Sequence, residues 1–145
     1  MNCLLAAIDF SDQSAAVVAE AEQLARATGA RLILLHVAAP DPDFVGYQAG
    51  PQSQREARAH ELREEHRMLQ ERSAALREAG IDAEALLVEG PTAQTILAQA
   101  TEIGAGTVVI GSHGKSALQT ALLGSVSGAV LRNAACPVLV VPRRR

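Results

Sequence analysis

The sequence predicts an α/β protein built on one five-stranded, parallel, open sheet with helices on both faces. Three features predict this class: short apolar runs without alternation, helical stretches between them, and glycines where the two meet. Strands buried on both faces of a sheet are continuously apolar, and a repeated strand–helix order implies parallel strands joined by right-handed crossovers. A chain of 145 residues is long enough for one such domain, spanning residues 1–145.

Five apolar runs are bounded by polar residues or glycine, and each predicts one strand. They are Leu4–Ile8, Arg31–Val37, Ala83–Glu89, Thr107–Ile110 and Cys136–Val141. The longest of these is Arg31–Val37, whose centre reads Leu-Ile-Leu-Leu, as expected for a strand covered on both sides.

The stretches between the predicted strands have helical spacing of apolar residues. We expect helices at about 12–28, at 54–79, from 92 past Ile103, and at 125–133. Ser11 and Thr92 are predicted to cap the first and third helices, because a hydroxyl can accept a free backbone N–H of the first turn. The prolines and glycines between residues 40 and 51 predict an irregular and mobile loop.

Composition excludes several functions. A net charge of −3 argues against a domain that holds nucleic acid through its phosphates, so we expect no nucleic-acid partner. No apolar run approaches the ~18 residues of a membrane helix, so we expect no membrane association. The N terminus does not resemble a signal peptide, which predicts a cytoplasmic protein. In that compartment Cys3 and Cys136 are expected to be reduced, buried thiols.

The segment from Gly111 to Ser127 carries the most chemical information. It reads Gly-Ser-His-Gly, then nine residues, then Gly-Ser-Val-Ser at the start of a predicted helix. Glycines let backbone N–H groups approach a ligand closely, and free N–H groups at a helix N terminus favour a phosphate. The alternative is that the glycines serve tight turns and that Ser125 only caps a helix.

Two standard phosphate loops do not fit this chain. Gly114-Lys115-Ser116 resembles the end of a P-loop, but the position of its first glycine is Val109, inside a strand. A dinucleotide fingerprint fails as well, because Gly104 and Gly106 precede a strand instead of following one. Lys115 is left open between contacting a phosphate and facing water.

The segment resembles the nucleotide-binding branch of the universal stress proteins. The motif of that family is Gly, two residues, Gly, nine residues, Gly, then Ser or Thr. The matching positions are Gly111, Gly114, Gly124 and Ser125, and further similarity is found at Asp9-Phe10-Ser11, Leu35-His36-Val37, Gly90-Pro91 and Pro137–Val141. The resemblance covers essentially the whole chain and implies a Rossmann-like fold of the adenine-nucleotide-binding type. Gly106 departs from it, since relatives often carry Asp before strand four.

The resemblance also implies a role for each matching residue. Asp9 would accept hydrogen bonds from ribose or adenine, although it has a competing interpretation as a helix cap. The base would lie against Ala7, Ile8 and Val37. Backbone N–H groups of Gly111, His113 and Gly114 would hold the ribose and phosphates, and Ile110 is predicted to belong to the same binding site. The outer phosphates would contact Gly124, Ser125, Val126 and Ser127. We assign His113 no catalytic or metal-binding role, because no second ligand or nucleophile stands near it in the sequence.

These residues predict an ATP-binding regulatory module of the stress response, a conformational switch with little or no hydrolysis. The alternatives are a slow ATPase or phosphotransferase using the same site, and an interaction domain without nucleotide. Mg²⁺ or Mn²⁺ could accompany the nucleotide through its phosphates; we predict no catalytic residue and no protein metal site. The resemblance implies a homodimer joined along Val138–Val141, and a regulatory protein partner that the sequence does not identify.

Overall fold

The structure is a computed structural model that describes residues 2–38, 52–113 and 123–143. Within these ranges the chain alternates strictly between strands and helices. The strands are β1 (Cys3–Ala7), β2 (Arg31–Ala38), β3 (Ala83–Glu89), β4 (Thr107–Gly111) and β5 (Val138–Val141). The helices are α1 (Ser14–Thr28), α2 (Gln52–Glu78), α3 (Thr92–Glu102) and α4 (Ser125–Asn133). The predicted loop of residues 40–51 lies outside the described residues.

The five strands form one parallel sheet in the order β3-β2-β1-β4-β5, which confirms the predicted fold class. β1 lies at the centre, where Leu5 is in register with Ile33 of β2 and with Val108 of β4. After β1 the chain builds outward to β2 and β3, then crosses back to β4. The strand order therefore reverses between β1 and β4, and this is where doubly wound sheets bind ligands.

Alternate residues of the central strands supply two separate cores. On one face, Leu4 and Leu34 belong to a cluster with the inner residues of α1 and α2. On the other face, Leu5 and Leu35 belong to a cluster with α3 and α4. All four leucines are fully buried, as expected for strands covered by helices on both sides.

Both predicted caps are wrong. α1 begins at Ser14, and its N-cap position is Gln13 rather than Ser11, because a turn at residues 11–13 precedes the helix. Within that turn, the Ser11 hydroxyl oxygen accepts the N–H of Gln13 at 3.4 Å. In α3, Thr92 is the first helical residue, and the extended Pro91 precedes it as the N-cap. With a φ of −63° and a ψ of 129°, Pro91 has the extended backbone typical of an N-cap residue, and no side-chain hydrogen bond caps the helix.

The edge strand β5 is shorter than predicted. It begins at Val138 because the preceding Pro137 has no N–H to donate. Leu139 on this edge strand is 38% exposed.

Across residues 2–38, 52–113 and 123–143, no helix combines the length and the apolar composition that crossing a bilayer requires.

Candidate functional site

A cavity of about 340 Å³ opens where the strand order reverses, at the carboxyl ends of the strands. Small-ligand pockets commonly measure about 300–1,000 Å³ and combine apolar walls with a few polar groups. This cavity has both: its walls include Ile8, Val37 and Ile110, and its polar groups include Asp9 and His36.

The structure brings together most of the predicted site residues around this cavity. Those lining it are Ala7, Ile8, Asp9, Val37, Ile110, Gly111, His113, Val126 and Ser127. Gly124 and Ser125 lie at the start of α4 but not in the cavity wall, and Gly114 is outside the described residues. The elements thus converge as the strand–helix order predicted, and the binding role of each residue stays a prediction. The His113 N–H, which the resemblance assigned to the ribose and phosphates, donates to Gln13 Oε1 at 3.1 Å in this structure.

Asp9 is held in place by the turn that leads into α1. Its Oδ1 accepts the backbone N–H of Ser11 at 3.0 Å and the hydroxyl of Ser14 at 3.3 Å. An aspartate that accepts a backbone N–H two residues ahead is a typical turn former. Asp9 therefore organises the turn before α1 instead of capping the helix, whose N-cap is Gln13, and it also lines the cavity. Its contact with a nucleoside stays a prediction.

Gln13 is the polar residue of the site that the sequence did not reveal. Its side chain is buried, with 4% exposed, and it lines the cavity beside Gly111. A Cβ on Gly111 would stand 2.6 Å from Gln13 Oε1. The missing side chain of Gly111 thus leaves room for the Gln13 side chain. From the sequence we had instead explained this glycine by the close approach of a ligand.

The start of α4 faces the cavity through Val126 and Ser127. The Ser127 hydroxyl donates to the carbonyl of Gly111 at 2.6 Å, which fixes the helix against the end of β4. The Gly124 N–H donates to the Ser112 carbonyl at 2.7 Å. The first turn of any helix has backbone N–H groups without partners inside the helix, and these favour an anion.

His36 on β2 and Glu65 on α2 form a second polar group in the cavity wall. His36 is a hydrogen-bonded core residue: its Nδ1 lies 2.9 Å from the Ile8 carbonyl. Its Nε2 lies 3.1 Å from Glu65 Oε2. Since the carbonyl can only accept, Nδ1 carries a proton, and the contact with Glu65 requires one more proton on Nε2 or on the carboxyl group.

Phe10, in the turn after β1, packs against His36. Its ring centroid lies 4.7 Å from that of His36, and the Arg72 guanidinium carbon lies 5.5 Å from the ring centroid. Phe10 has a φ of 60°, a left-handed conformation that costs a bulky residue about 1–2 kcal/mol. Such strain persists where surrounding contacts enforce it, and here the contacts hold the turn that carries Asp9.

The cysteines lie away from the cavity. Cys3 begins β1, and Cys136 precedes β5. Both are free thiols and half-buried rather than fully buried. Burial raises the pKa of the Cys3 thiol, which makes it a poor nucleophile. Among the residues that the structure describes, no three His, Cys, Asp or Glu side chains gather where they could hold a metal ion.

A doubly wound parallel sheet with a cavity at its switch point defines a class of ligand-binding α/β proteins. A family model described as the universal stress protein family matches residues 1–142. Universal stress protein YxiE of Bacillus subtilis is 34% identical over 145 residues, covering 97% of this chain and 98% of that protein. The chain therefore belongs to the universal stress protein family.

Solved structures agree with this assignment. Hypothetical protein MJ0577, from Methanocaldococcus jannaschii, superposes with a TM-score of 0.85 at 25% identity, covering 99% of this chain and 97% of that one. A universal stress protein in complex with cAMP has a TM-score of 0.67 at 28% identity, covering 97% of this chain and 95% of that one.

Proposed function

We propose that this protein is an ATP-binding regulatory module of the stress response. The observation that carries the proposal is the cavity at the switch point, whose wall includes the apolar Ile8 and Val37 and, at the start of α4, Val126 and Ser127. An adenine ring fits apolar walls, and a polyphosphate fits a helix N terminus. The relative in complex with cAMP supports an adenine nucleotide as the ligand class.

In this proposal each group of residues has one task. Ala7, Ile8 and Val37 contact the base, and Asp9 accepts hydrogen bonds from the nucleoside. The phosphates extend past Gly111 toward the first turn of α4, and Mg²⁺ or Mn²⁺ is held by the phosphates rather than by protein side chains. A cytoplasmic location and a regulatory protein partner belong to the same proposal.

The proposed switch requires unequal binding of two conformations. ATP changes the balance between two states only if it binds one of them more tightly. Arg58 and Glu65 of α2 line the cavity together with residues of β1 and β2, and Glu65 already contacts His36. A change in the position of α2 when a base binds would provide the difference. A regulatory partner would then recognise the closed state.

The first experiment asks whether the protein holds an adenine nucleotide. The purified protein should release ATP on denaturation, identified by mass spectrometry, and calorimetry on the emptied protein should give a dissociation constant for ATP. Incubation with Mg²⁺ should leave the nucleotide intact over many minutes. Rapid turnover would favour the ATPase alternative, and failure to bind ATP, ADP or AMP would reject the proposal.

The second proposal concerns assembly. β5 is an edge strand with an exposed Leu139, and unpaired apolar edges favour pairing with another strand. We expect a homodimer along Val138–Val141, measured as twice the chain mass by light scattering at micromolar concentration. Leu139→Asp should give a monomer, whereas Ala98→Asp on the exposed face of α3 should stay dimeric. A parent protein of monomer mass would contradict this prediction.

A further inference from the structure

Gln13 makes an unusually complete set of hydrogen bonds for one side chain. Its Nε2 donates to the Val141 carbonyl at 2.7 Å and to the Ser112 hydroxyl at 3.2 Å. Its Oε1 accepts the backbone N–H of His113 at 3.1 Å. Both amide hydrogens and the amide oxygen of this buried carboxamide therefore have partners.

Gln13 and its partners belong to three different parts of the chain. Gln13 stands at the N terminus of α1, whereas Ser112 and His113 begin the segment that follows β4. Val141 ends the edge strand β5, and its carbonyl also accepts the N–H of Ser112 at 2.9 Å. One side chain thus fixes the exit of β4 relative to both α1 and β5.

The geometry around Gly111 reserves the space for this side chain. A Cβ at this position would lie 2.6 Å from Oε1 and 2.9 Å from Cδ of Gln13. Moving the carboxamide aside would break its three hydrogen bonds. This would cost free energy, because a buried polar group without hydrogen-bond partners is strongly disfavoured. Gly111 and Gln13 therefore act as a matched pair.

We propose that Gln13 is a positioning residue for the phosphate end of the ligand site. This inference rests on the proposed function, and it adds a residue outside the glycine motif. Gln13 holds Ser112 in the conformation in which its carbonyl accepts the Gly124 N–H at the start of α4, the end of the cavity proposed for the phosphates. The site is preorganised before the ligand arrives, and such preorganisation lowers the cost of binding.

The position of Gln13 makes the effect selective. Its contacts lie at the exit of β4, whereas the proposed base contacts lie at the ends of β1 and β2. A variant that loses the carboxamide should therefore bind ATP more weakly and adenosine almost unchanged, because adenosine carries no phosphates and its ribose receives no N–H from His113, which donates to Gln13. General destabilisation of the fold would instead weaken both ligands alike.

The test compares Gln13→Met, which keeps the length without the hydrogen bonds, with Gln94→Met at an exposed position of α3. We expect Gln13→Met to raise the ATP dissociation constant by about tenfold and that of adenosine by less than about twofold, as calorimetry would show. Exchange of the Ser112 and His113 amides in the ligand-free protein should accelerate by about tenfold or more. Gln94→Met should change none of these values. If Gln13→Met does not fold, Gln13→Asn, one methylene shorter, replaces it.

The outcomes separate the two proposals. Suppose first that the parent protein binds ATP. The role of Gln13 alone is then overturned if Gln13→Met loses ATP and adenosine affinity equally, keeps its ATP affinity, or leaves the exchange rates of the Ser112 and His113 amides unchanged. A parent that binds neither ligand would reject the proposed function, and with it any role of Gln13 toward phosphates.

Discussion

Replacing Leu34 with alanine should lower the free energy of unfolding by about 3 kcal/mol, which is typical of a buried leucine. Leu34 is fully buried in β2, next to the central strand of the sheet. Its register partners on both sides are alanines, Ala6 of β1 and Ala85 of β3. Small neighbours cannot fill the space that a missing leucine side chain leaves, so the cavity should persist.

Urea denaturation followed by circular dichroism would measure the change. Leu131→Ala on α4 is the matched control, because the same atoms are removed from a side chain that is 46% exposed. It should cost less than about 1 kcal/mol, since little apolar surface returns to water. A loss at Leu34 no larger than that at Leu131 would mean that the sheet is not covered as described.

The strands were the easiest part of the fold to predict. In β1, β2 and β4, helices cover both faces of the sheet and exclude water. The residues of these strands are therefore apolar without interruption, and such runs are easy to recognise in the sequence. The starts of α1 and α3 were predicted less well. A cap depends on the turn before the helix, and at α1 that turn is set by the Asp9 carboxylate and the left-handed Phe10.

The cavity wall was predicted through its motif, and its polar supports were not. Gly111 and Asp9 belong to a recognisable pattern, whereas Gln13 and Glu65 are ordinary helix residues in the sequence. Gln13 contacts residues 99, 100 and 128 positions away, so no local pattern reports it. Glu65 stands among many charged residues of α2, and only the fold shows that it meets His36.

The most informative substitution at the ligand site is Asp9→Asn. The remaining amide oxygen can still accept the Ser11 N–H and the Ser14 hydroxyl, so the turn before α1 should survive. The change removes one carboxylate acceptor and its negative charge, and replaces them with an N–H₂ donor. If Asp9 accepts hydrogen bonds from the nucleoside, the affinity for ATP and for adenosine should each fall by about tenfold or more, as expected for a charged hydrogen bond.

Whether the affinity for ATP falls or rises in Asp9→Asn distinguishes two possible positions of the bound nucleotide. A carboxylate beside the nucleoside favours binding, whereas a carboxylate beside the phosphates repels them, and its removal would then strengthen ATP binding. Calorimetry with both ligands therefore tests the orientation of the nucleotide. Asp12→Asn is the matched control, because Asp12 is exposed in the same turn and does not line the cavity. Equal losses of ATP and adenosine affinity at Asp9, beside a loss confined to ATP at Gln13, would place the nucleoside at the end of β1 and the phosphates at the end of β4.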